Sequence, residues 1–156
     1  MERNMGKGLI GTNGIIFCRR TMENMEDIRD ILQGLLQAED DILFAYLYGS
    51  VARGMDRPDS DIDVGIFLVN PQKMDRYYPE QLAVRLEKTV GREVDVRVLN
   101  GRNLGFLHQV LATGMLLFSR DERQRVQFES NVYDRYLDIS YYMKRYDAIR
   151  RKELLA

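Results

Sequence analysis

Residues 47–68, LYGSVARGMDRPDSDIDVGIFL, contain the pattern on which the fold and the chemistry depend. Gly49 and Ser50 make a tight turn after one apolar run, and Asp61 and Asp63 lie at the start of the next. Side chains alternate between the two faces of a strand, so both aspartates are expected to point the same way. Adjacent carboxylates repel each other unless a proton or a cation lies between them. The stretch therefore predicts a cation site.

The turn itself has the features of a phosphate site. Gly49 can adopt backbone angles closed to other residues, and Ser50 supplies a hydroxyl and an amide. Residues 51–54 are expected to begin a short helix, whose first N–H groups attract anions. Arg53 lies within reach as a charged phosphate ligand. Mg²⁺ takes oxygen ligands and leaves room for substrate phosphates, so the turn and the aspartates together predict metal-assisted phosphoryl or nucleotidyl transfer.

A third carboxylate comes from residues 93–99, EVDVRVL, where valines alternate with Glu93, Asp95 and Arg97. This alternation predicts a strand with the charged side chains on one face. If the strand lies beside residues 61–69, Asp95 joins the acidic cluster, and three carboxylates could hold two cations about 4 Å apart. Asp95 is then also the natural general base for an attacking hydroxyl. Glu93 is the competitor on the same face, and Asp95 is preferred because it lies mid-strand.

Composition excludes several classes of protein. The 156 residues are 45% hydrophobic and 30% charged, which indicates one globular domain. A net charge of -1 gives no basic field for nucleic acid. A single cysteine excludes an internal disulfide and a cysteine-rich zinc site, and this cysteine usage suits the cytoplasm. A single histidine argues against a Ser-His-Asp triad. We expect no membrane partner, since no apolar stretch approaches the ~20 residues of a membrane span.

The chain divides into a leader and one domain. Residues 1–22 are glycine-rich without a helical period and predict a disordered leader or an upstream-start extension, whereas residues 23–156 are expected to form the domain. Within it, periodicity and breaker residues predict helices and strands in the following order: a helix over 23–38, strands over 42–48 and 61–69, a helix from Pro79 to Gly91, a strand over 93–99, a short helix capped by Asn103, a strand over 114–118 and a helix over about 121–151. This order predicts a mixed α/β (α+β) fold, with a small sheet of about four strands flanked by helices and a long C-terminal helix.

The last predicted helix carries two apolar stripes on nearly opposite faces. One contains Phe128, Val132, Tyr136, Ile139, Met143 and Tyr146, and the other contains Val126, Tyr133, Leu137 and Tyr141. A helix that covers its own domain needs one stripe, so the second could be buried by a partner protein. The alternative is that the domain wraps the helix on both sides.

These motifs together resemble a known superfamily. Gly49-Ser50, ten residues, Asp61-x-Asp63 and a strand-borne Asp95 resemble the DNA polymerase beta-like nucleotidyltransferases, and the small size is similar to their minimal branch. Residues 126–146, VQFESNVYDRYLDISYYMKRY, are similar to the C-terminal helix of MntA-type antitoxins, which are paired with HEPN-domain toxins.

The resemblance implies the nucleotidyltransferase fold and a specific reaction. Asp61, Asp63 and Asp95 would bind Mg²⁺, and Gly49 and Ser50 would hold the triphosphate of ATP. AMP would be transferred to a tyrosine of the cognate HEPN toxin, typically a ribonuclease, with release of pyrophosphate and loss of toxicity. No catalytic role is assigned to Arg97.

Two other functions stay open at this point. Relatives of the superfamily place AMP on hydroxyls of small molecules such as aminoglycosides, although a chain of this size leaves little room for an added substrate domain. The chain could also be an antitoxin that acts by binding alone, although the complete set of Gly49, Ser50 and three aspartates argues against a decayed site.

Overall fold

The computed structural model describes residues 25–55, 57 and 59–155. The predicted leader, residues 1–22, and the start of the first predicted helix lie outside them. The elements are α1 (Met25–Gln37), β1 (Ile42–Tyr48), α2 (Gly49–Ala52), β2 (Ile62–Leu68), a 3₁₀ turn (Pro71–Lys73), α3 (Tyr78–Val90), β3 (Val94–Val98), α4 (Leu104–Thr113), β4 (Met115–Ser119) and α5 (Glu122–Leu155). The predicted order is confirmed, and α5 continues past residue 151 to Leu155.

The four strands form one mixed sheet in the order β3-β2-β1-β4. β1 pairs antiparallel with β2 and β4, whereas β2 and β3 run parallel. The end of β1 and the starts of β2 and β3 therefore meet at one edge of the sheet. We call this edge, where Tyr48, Ile62 and Val94 lie, the upper edge.

Each face of the sheet has its own apolar core. Helices α1 and α3 cover one face, where strand positions such as Ile62, Val64 and Val96 pack with Leu32 and Leu86 of these helices. Helices α4 and α5 cover the other face, which is rich in aromatic side chains. The residues of that second core are Leu43, Phe44, Tyr46, Tyr48, Leu99, Leu107, Val110 and Val132.

Local chemistry sets several of the element ends. Gly91 ends α3 in the left-handed conformation, with φ 74°, and its N–H donates to the carbonyl of Glu87. Asn103 caps α4, where its side-chain oxygen accepts a 2.9 Å hydrogen bond from the backbone N–H of Phe106. Both ends were predicted from the sequence and are confirmed.

The first half of α5 packs on the aromatic face. Phe128 lies 5.3 Å from Phe44 between ring centroids, and the hydroxyl of Tyr46 donates a 2.5 Å hydrogen bond to Glu129. Arg120, just before α5, donates to the carbonyl of Ile42 at the start of β1, whereas Phe128 and Glu129 contact β1 further along, at Phe44 and Tyr46. The helix therefore runs in the same sense as β1, toward the upper edge.

Beyond the sheet, α5 crosses α4 and then leaves the domain. The ring of Tyr136 stacks on His108 of α4, with ring centroids 3.5 Å apart. The following segment, residues 137–155, we call the C-terminal arm. Its large apolar side chains are 51% to 88% exposed: Leu137, Ile139, Tyr141, Tyr142, Met143, Tyr146, Ile149, Leu154 and Leu155.

Neither stripe of the C-terminal arm is covered by the domain. Val126 and Tyr133, which belong to the second stripe before the arm begins, are also exposed, at 49% and 39%. The alternative in which the domain wraps the helix on both sides is therefore wrong for this part of the chain.

None of the helices among the described residues combines the length and the apolar character that crossing a membrane requires.

Candidate active site

A row of three paired residues crosses the sheet at its upper edge. Tyr48 of β1 pairs with Asp63 of β2, and Asp63 pairs with Asp95 of β3. Paired residues on neighbouring strands present their side chains on the same face. Asp63 and Asp95, two of the three predicted acids, are therefore direct neighbours across parallel strands. They lie on the face of the sheet that α4 and α5 cover away from the upper edge.

The turn after β1 approaches this row closely. Gly49 has a φ of +78°, and a Cβ built on it would collide with a carboxylate oxygen of Asp63. Both observations explain why a glycine occupies this position. The same close approach sets the predicted phosphate turn directly against the carboxylate of Asp63.

Ser50 and Arg53 complete the turn. Ser50 is the second residue of α2, and its carbonyl accepts a 3.0 Å hydrogen bond from the backbone N–H of Met55. Arg53 is exposed, and its Nε donates to the carbonyl of Gly49 over 3.4 Å. The guanidinium therefore lies over the turn, where we expected a phosphate ligand.

Asp63 lies in a field that opposes its ionisation. Burial raises the pKa of its carboxyl, and the negative charges of Asp95 and Asp61 raise it further, while Arg97 acts in the opposite direction. The surroundings of Asp63 thus favour a proton or a bound cation.

Asp95 is engaged by a neighbour on its own strand. The Nε of Arg97 donates a 2.8 Å hydrogen bond to the Oδ2 of Asp95, and this contact raises the pKa of the arginine. The guanidinium carbon of Arg97 also lies 5.9 Å from the ring centroid of Phe106. Arg97, which was given no catalytic role from the sequence, is thus paired with a predicted metal ligand.

Asp61 is the outermost of the three acids. It precedes β2 and is exposed. The side chain of Glu93 lies within hydrogen-bonding reach of it, and this contact, together with the charge of Asp61, raises the pKa of the Glu93 carboxyl. Glu93, considered as a competitor for the site, is thus a direct neighbour of Asp61 rather than of Asp63.

The donor set fits a hard divalent cation in kind. Aspartate oxygens are suitable ligands, and Asp63 and Asp95 are paired across adjacent strands. As the side chains stand, however, no three acidic, histidine or cysteine side chains among the described residues converge into a metal-holding group. Asp95 is bonded to Arg97 instead, and Asp61 and Glu93 contact each other.

Two further groups near the acids were not singled out from the sequence. Tyr48 is buried, with its ring edge-on to Phe106 at 5.8 Å between centroids. Burial, followed by the charge of Asp63, raises the pKa of its hydroxyl to about 12. Arg102 contributes positive charge on the same side and donates from Nε to the carbonyl of Val98. The pairing of Tyr48 with Asp63 on neighbouring strands is the signal that would have identified Tyr48 as a site residue.

His108 takes no part in the site. Its ring stacks flat on Tyr136 and meets Tyr133 edge-on, at 5.8 Å between centroids. It therefore serves the packing of α5 on α4.

Comparison with known proteins gives a family and a set of similar folds. A family model described as polymerase beta, nucleotidyltransferase matches residues 30–123. A search of curated proteins finds no match. A solved chain from a toxin–antitoxin structure with AMP-PNP is 21% identical with a TM-score of 0.63, over 73% of this chain and 90% of that one.

Two other solved structures extend the comparison. One, from Shewanella oneidensis, is described as a tri-AMPylated HEPN toxin in complex with MNT antitoxin; its chain is 18% identical with a TM-score of 0.60, over 76% of this chain and 92% of that one. A minimal nucleotidyltransferase is 26% identical with a TM-score of 0.50, over 59% of this chain and 94% of that one. The first two likenesses establish a shared fold.

Proposed function

Because this chain belongs to the polymerase beta nucleotidyltransferase family, we propose that it transfers AMP from ATP to a tyrosine of a cognate HEPN-type ribonuclease toxin and so neutralises it. The observation that carries the proposal is the row of Asp63 and Asp95 on adjacent strands with Gly49 directly against it. This arrangement sets a phosphate-binding turn beside oxygen ligands, as nucleotidyl transfer requires.

Each predicted site residue has a place in this reaction. Asp61, Asp63 and Asp95 would hold Mg²⁺, and we propose two ions. The bound Mg²⁺ would neutralise the negative charge of the phosphates. Gly49 and Ser50 would bind the triphosphate through the turn, and Arg53, exposed above the turn, would add a charged contact.

The covalent step is an in-line displacement at the α-phosphorus of ATP. The acceptor hydroxyl oxygen bonds to that phosphorus while the bond to the β-phosphate bridge oxygen breaks, and pyrophosphate leaves. Asp95, half-buried at the upper edge, is placed to accept the proton of the hydroxyl. Rate would come from placement of the reactants and from charge neutralisation.

The C-terminal arm is our candidate for the toxin-binding surface. Its exposed tyrosine and aliphatic side chains have the composition of a protein interface, and it leaves the domain on the side of the upper edge. The solved complexes with similar chains are toxin–antitoxin assemblies, one with an ATP analogue and one with an AMPylated toxin, which supports ATP as donor and a toxin as acceptor. We place the reaction in the cytoplasm, as the cysteine usage indicates.

The test is to incubate the protein with Mg²⁺, ATP and the cognate toxin, and then to measure the mass of the toxin. We expect a gain of one or more AMP units on tyrosine. Asp61→Asn and Asp63→Asn are expected to abolish the gain and to remain folded, because asparagine keeps the volume and removes the repulsion. Tight binding without a mass change would favour an antitoxin that acts by binding alone, and AMP transfer by both single variants would refute the mechanism.

A further inference from the structure

The pair between Arg97 and Asp95 lies where the proposed reaction needs a cation. Arg97 Nε is 2.8 Å from Asp95 Oδ2, and Asp95 is the strand partner of Asp63. The side chains of the pair are 52% and 43% exposed. The pair is therefore open to solvent and to incoming ions, and it is not locked in the core.

A guanidinium bonded to a carboxylate oxygen provides part of the charge compensation that a metal ion would provide. It supplies one positive charge and a fixed set of N–H donors, and it offsets part of the repulsion that Asp95 exerts on Asp63. A divalent cation bound to Asp95 would supply twice the charge at the same carboxylate. Two positive charges on one carboxylate repel each other, so Arg97 and the metal compete for Asp95.

We propose that Arg97 is an internal counter-ion of Asp95, which holds this carboxylate in the metal-free protein and which the metal must displace. Arg97 is thus a positioning residue that sets how tightly the site binds a divalent cation. This inference rests on the proposed function, since it takes Asp95 as a metal ligand.

The energetics of the pair make displacement feasible. Exposed ion pairs contribute little net stability, so the metal has to overcome a small competing interaction. As the side chains stand, Oδ2 of Asp95 is bonded to Arg97, and no three acidic side chains among the described residues form a metal-holding group.

The experiment measures binding of Mn²⁺ to the full chain without nucleotide or toxin, from the electron paramagnetic resonance signal of the free ion. We expect Arg97→Gln to bind Mn²⁺ about two- to fivefold more tightly than the unaltered protein, the range that corresponds to loss of an exposed ion pair. Arg97→Lys keeps the charge and is expected to remain closer to the unaltered protein.

Arg85→Gln is the matched control. Arg85 is 53% exposed and pairs with Glu39 at 2.7 Å, remote from the predicted acids, so its removal changes the net charge equally but leaves Asp95 untouched. Equal tightening by Arg85→Gln and Arg97→Gln would overturn the proposal, because a general charge effect would then explain both. Unchanged affinity in Arg97→Gln would overturn it as well.

A double variant assigns the effect to Asp95. In an Asp95→Asn background the further change Arg97→Gln is expected to give a clearly smaller gain in Mn²⁺ affinity, because only the action of the Arg97 charge on Asp63 remains to be removed. A gain equal to that in the unaltered background would refute the pairing. None of these measurements uses ATP or a toxin. Failure of AMP transfer with intact Mn²⁺ behaviour would therefore count against the proposed function and leave the role of Arg97 standing.

Discussion

The contact between Gly49 and Asp63 shows how closely single residues are constrained at the upper edge. The backbone of Gly49 is left-handed, and the carboxylate of Asp63 fills the space where a side chain would begin. Only glycine both adopts this backbone conformation readily and leaves room for the carboxylate of Asp63. Under the proposed function, nucleotide binding and the position of the Asp63 carboxylate are expected to respond together to any change there.

Gly49→Ala is predicted to destabilise the fold by about 1–2 kcal/mol or more, because alanine pays a left-handed backbone cost in addition to the collision. AMP transfer is expected to fall as well. Urea unfolding measures the loss of stability. Gly34→Ala is the control, since Gly34 is exposed on α1 with nothing within 4 Å of an added Cβ, and there the substitution is expected to stabilise by about 0.5–1 kcal/mol.

The raised pKa of Asp63 predicts how the stability of the fold depends on pH. The folded state binds the Asp63 proton more tightly than the unfolded state does. The stability that this proton contributes is complete below the ordinary aspartate pKa of about 3.9, and it is lost as the pH rises through the folded pKa. In the absence of metal, Asp63→Asn is therefore expected to be more stable than the unaltered protein at neutral pH.

Urea midpoints measured with EDTA at pH 7 and at the acid end of the range check this. The advantage of Asp63→Asn should shrink as the pH falls. A constant advantage at both pH values would show that ionisation of Asp63 does not destabilise the fold. Asp30→Asn, at an exposed position on α1, reports the effect of charge removal elsewhere.

At the scale of elements, a small polar network fixes α5 to the sheet. The buried hydroxyl of Tyr46 donates to Glu129, and Glu129 also accepts a 2.7 Å bond from Arg125, which in turn pairs with Glu122. Burial is the first cause of a strongly raised pKa of Tyr46, so its hydroxyl stays a donor. The network connects β1, which ends at the turn, with the helix that carries the C-terminal arm.

The two ends of this hydrogen bond are predicted to differ in cost. Tyr46→Phe leaves Glu129 with Arg125 and is expected to cost about 1 kcal/mol. Glu129→Ala leaves the hydroxyl of Tyr46 without this partner and is expected to cost more, about 1–3 kcal/mol. Chemical denaturation of both variants gives the comparison, and a larger loss in Tyr46→Phe would contradict the account.

The elements themselves were predictable because their patterns are local. Alternation along residues 93–99 gave both ends of β3 within one residue, and the long stretch without glycine or proline after residue 121 gave the start of α5 within one residue, although its end lies four residues beyond the predicted one. The link from Arg120 to the carbonyl of Ile42, 2.8 Å long and 78 positions apart, leaves no trace in a local pattern. Contacts of this kind depend on how the elements pack.

Within the candidate site, too, features set by local patterns were predictable and features set by side-chain packing were not. Strand alternation placed Asp63 and Asp95 on one face, and their pairing followed once β2 and β3 were neighbours. The pairing of Asp95 with Arg97, and of Asp61 with Glu93, depends on the rotamers that the side chains adopt, and periodicity carries no information on them. Sequence therefore predicted the candidate acids and missed which partners they have.

At the scale of the whole molecule, the domain and the C-terminal arm have separate physical roles. Val132 is the buried residue of α5, and the helix extends 23 further positions to Leu155. At 1.5 Å per residue, the arm of residues 137–155 is about 28 Å long. Its removal exposes little of the core.

Truncation after Tyr136 is therefore predicted to leave the midpoint of thermal unfolding and the affinity for ATP nearly unchanged. Capture of the toxin, measured by calorimetry, is expected to weaken at least tenfold because the exposed apolar side chains of the arm are lost. An unfolded product, or equal loss of ATP binding and toxin capture, would show that the arm serves the fold.

The parallel course of α5 and β1 has a consequence for selectivity. If the C-terminal arm binds the proposed acceptor protein, that acceptor is confined to a small volume around the upper edge, and its local molarity there no longer depends on its concentration in the cell. Under that confinement, the reach of the acceptor's hydroxyl groups would decide which of them is modified. The enzyme would then have little need to recognise the amino acids that flank its target, and moving the arm by one helical turn would be expected to change the target more readily than altering the candidate site.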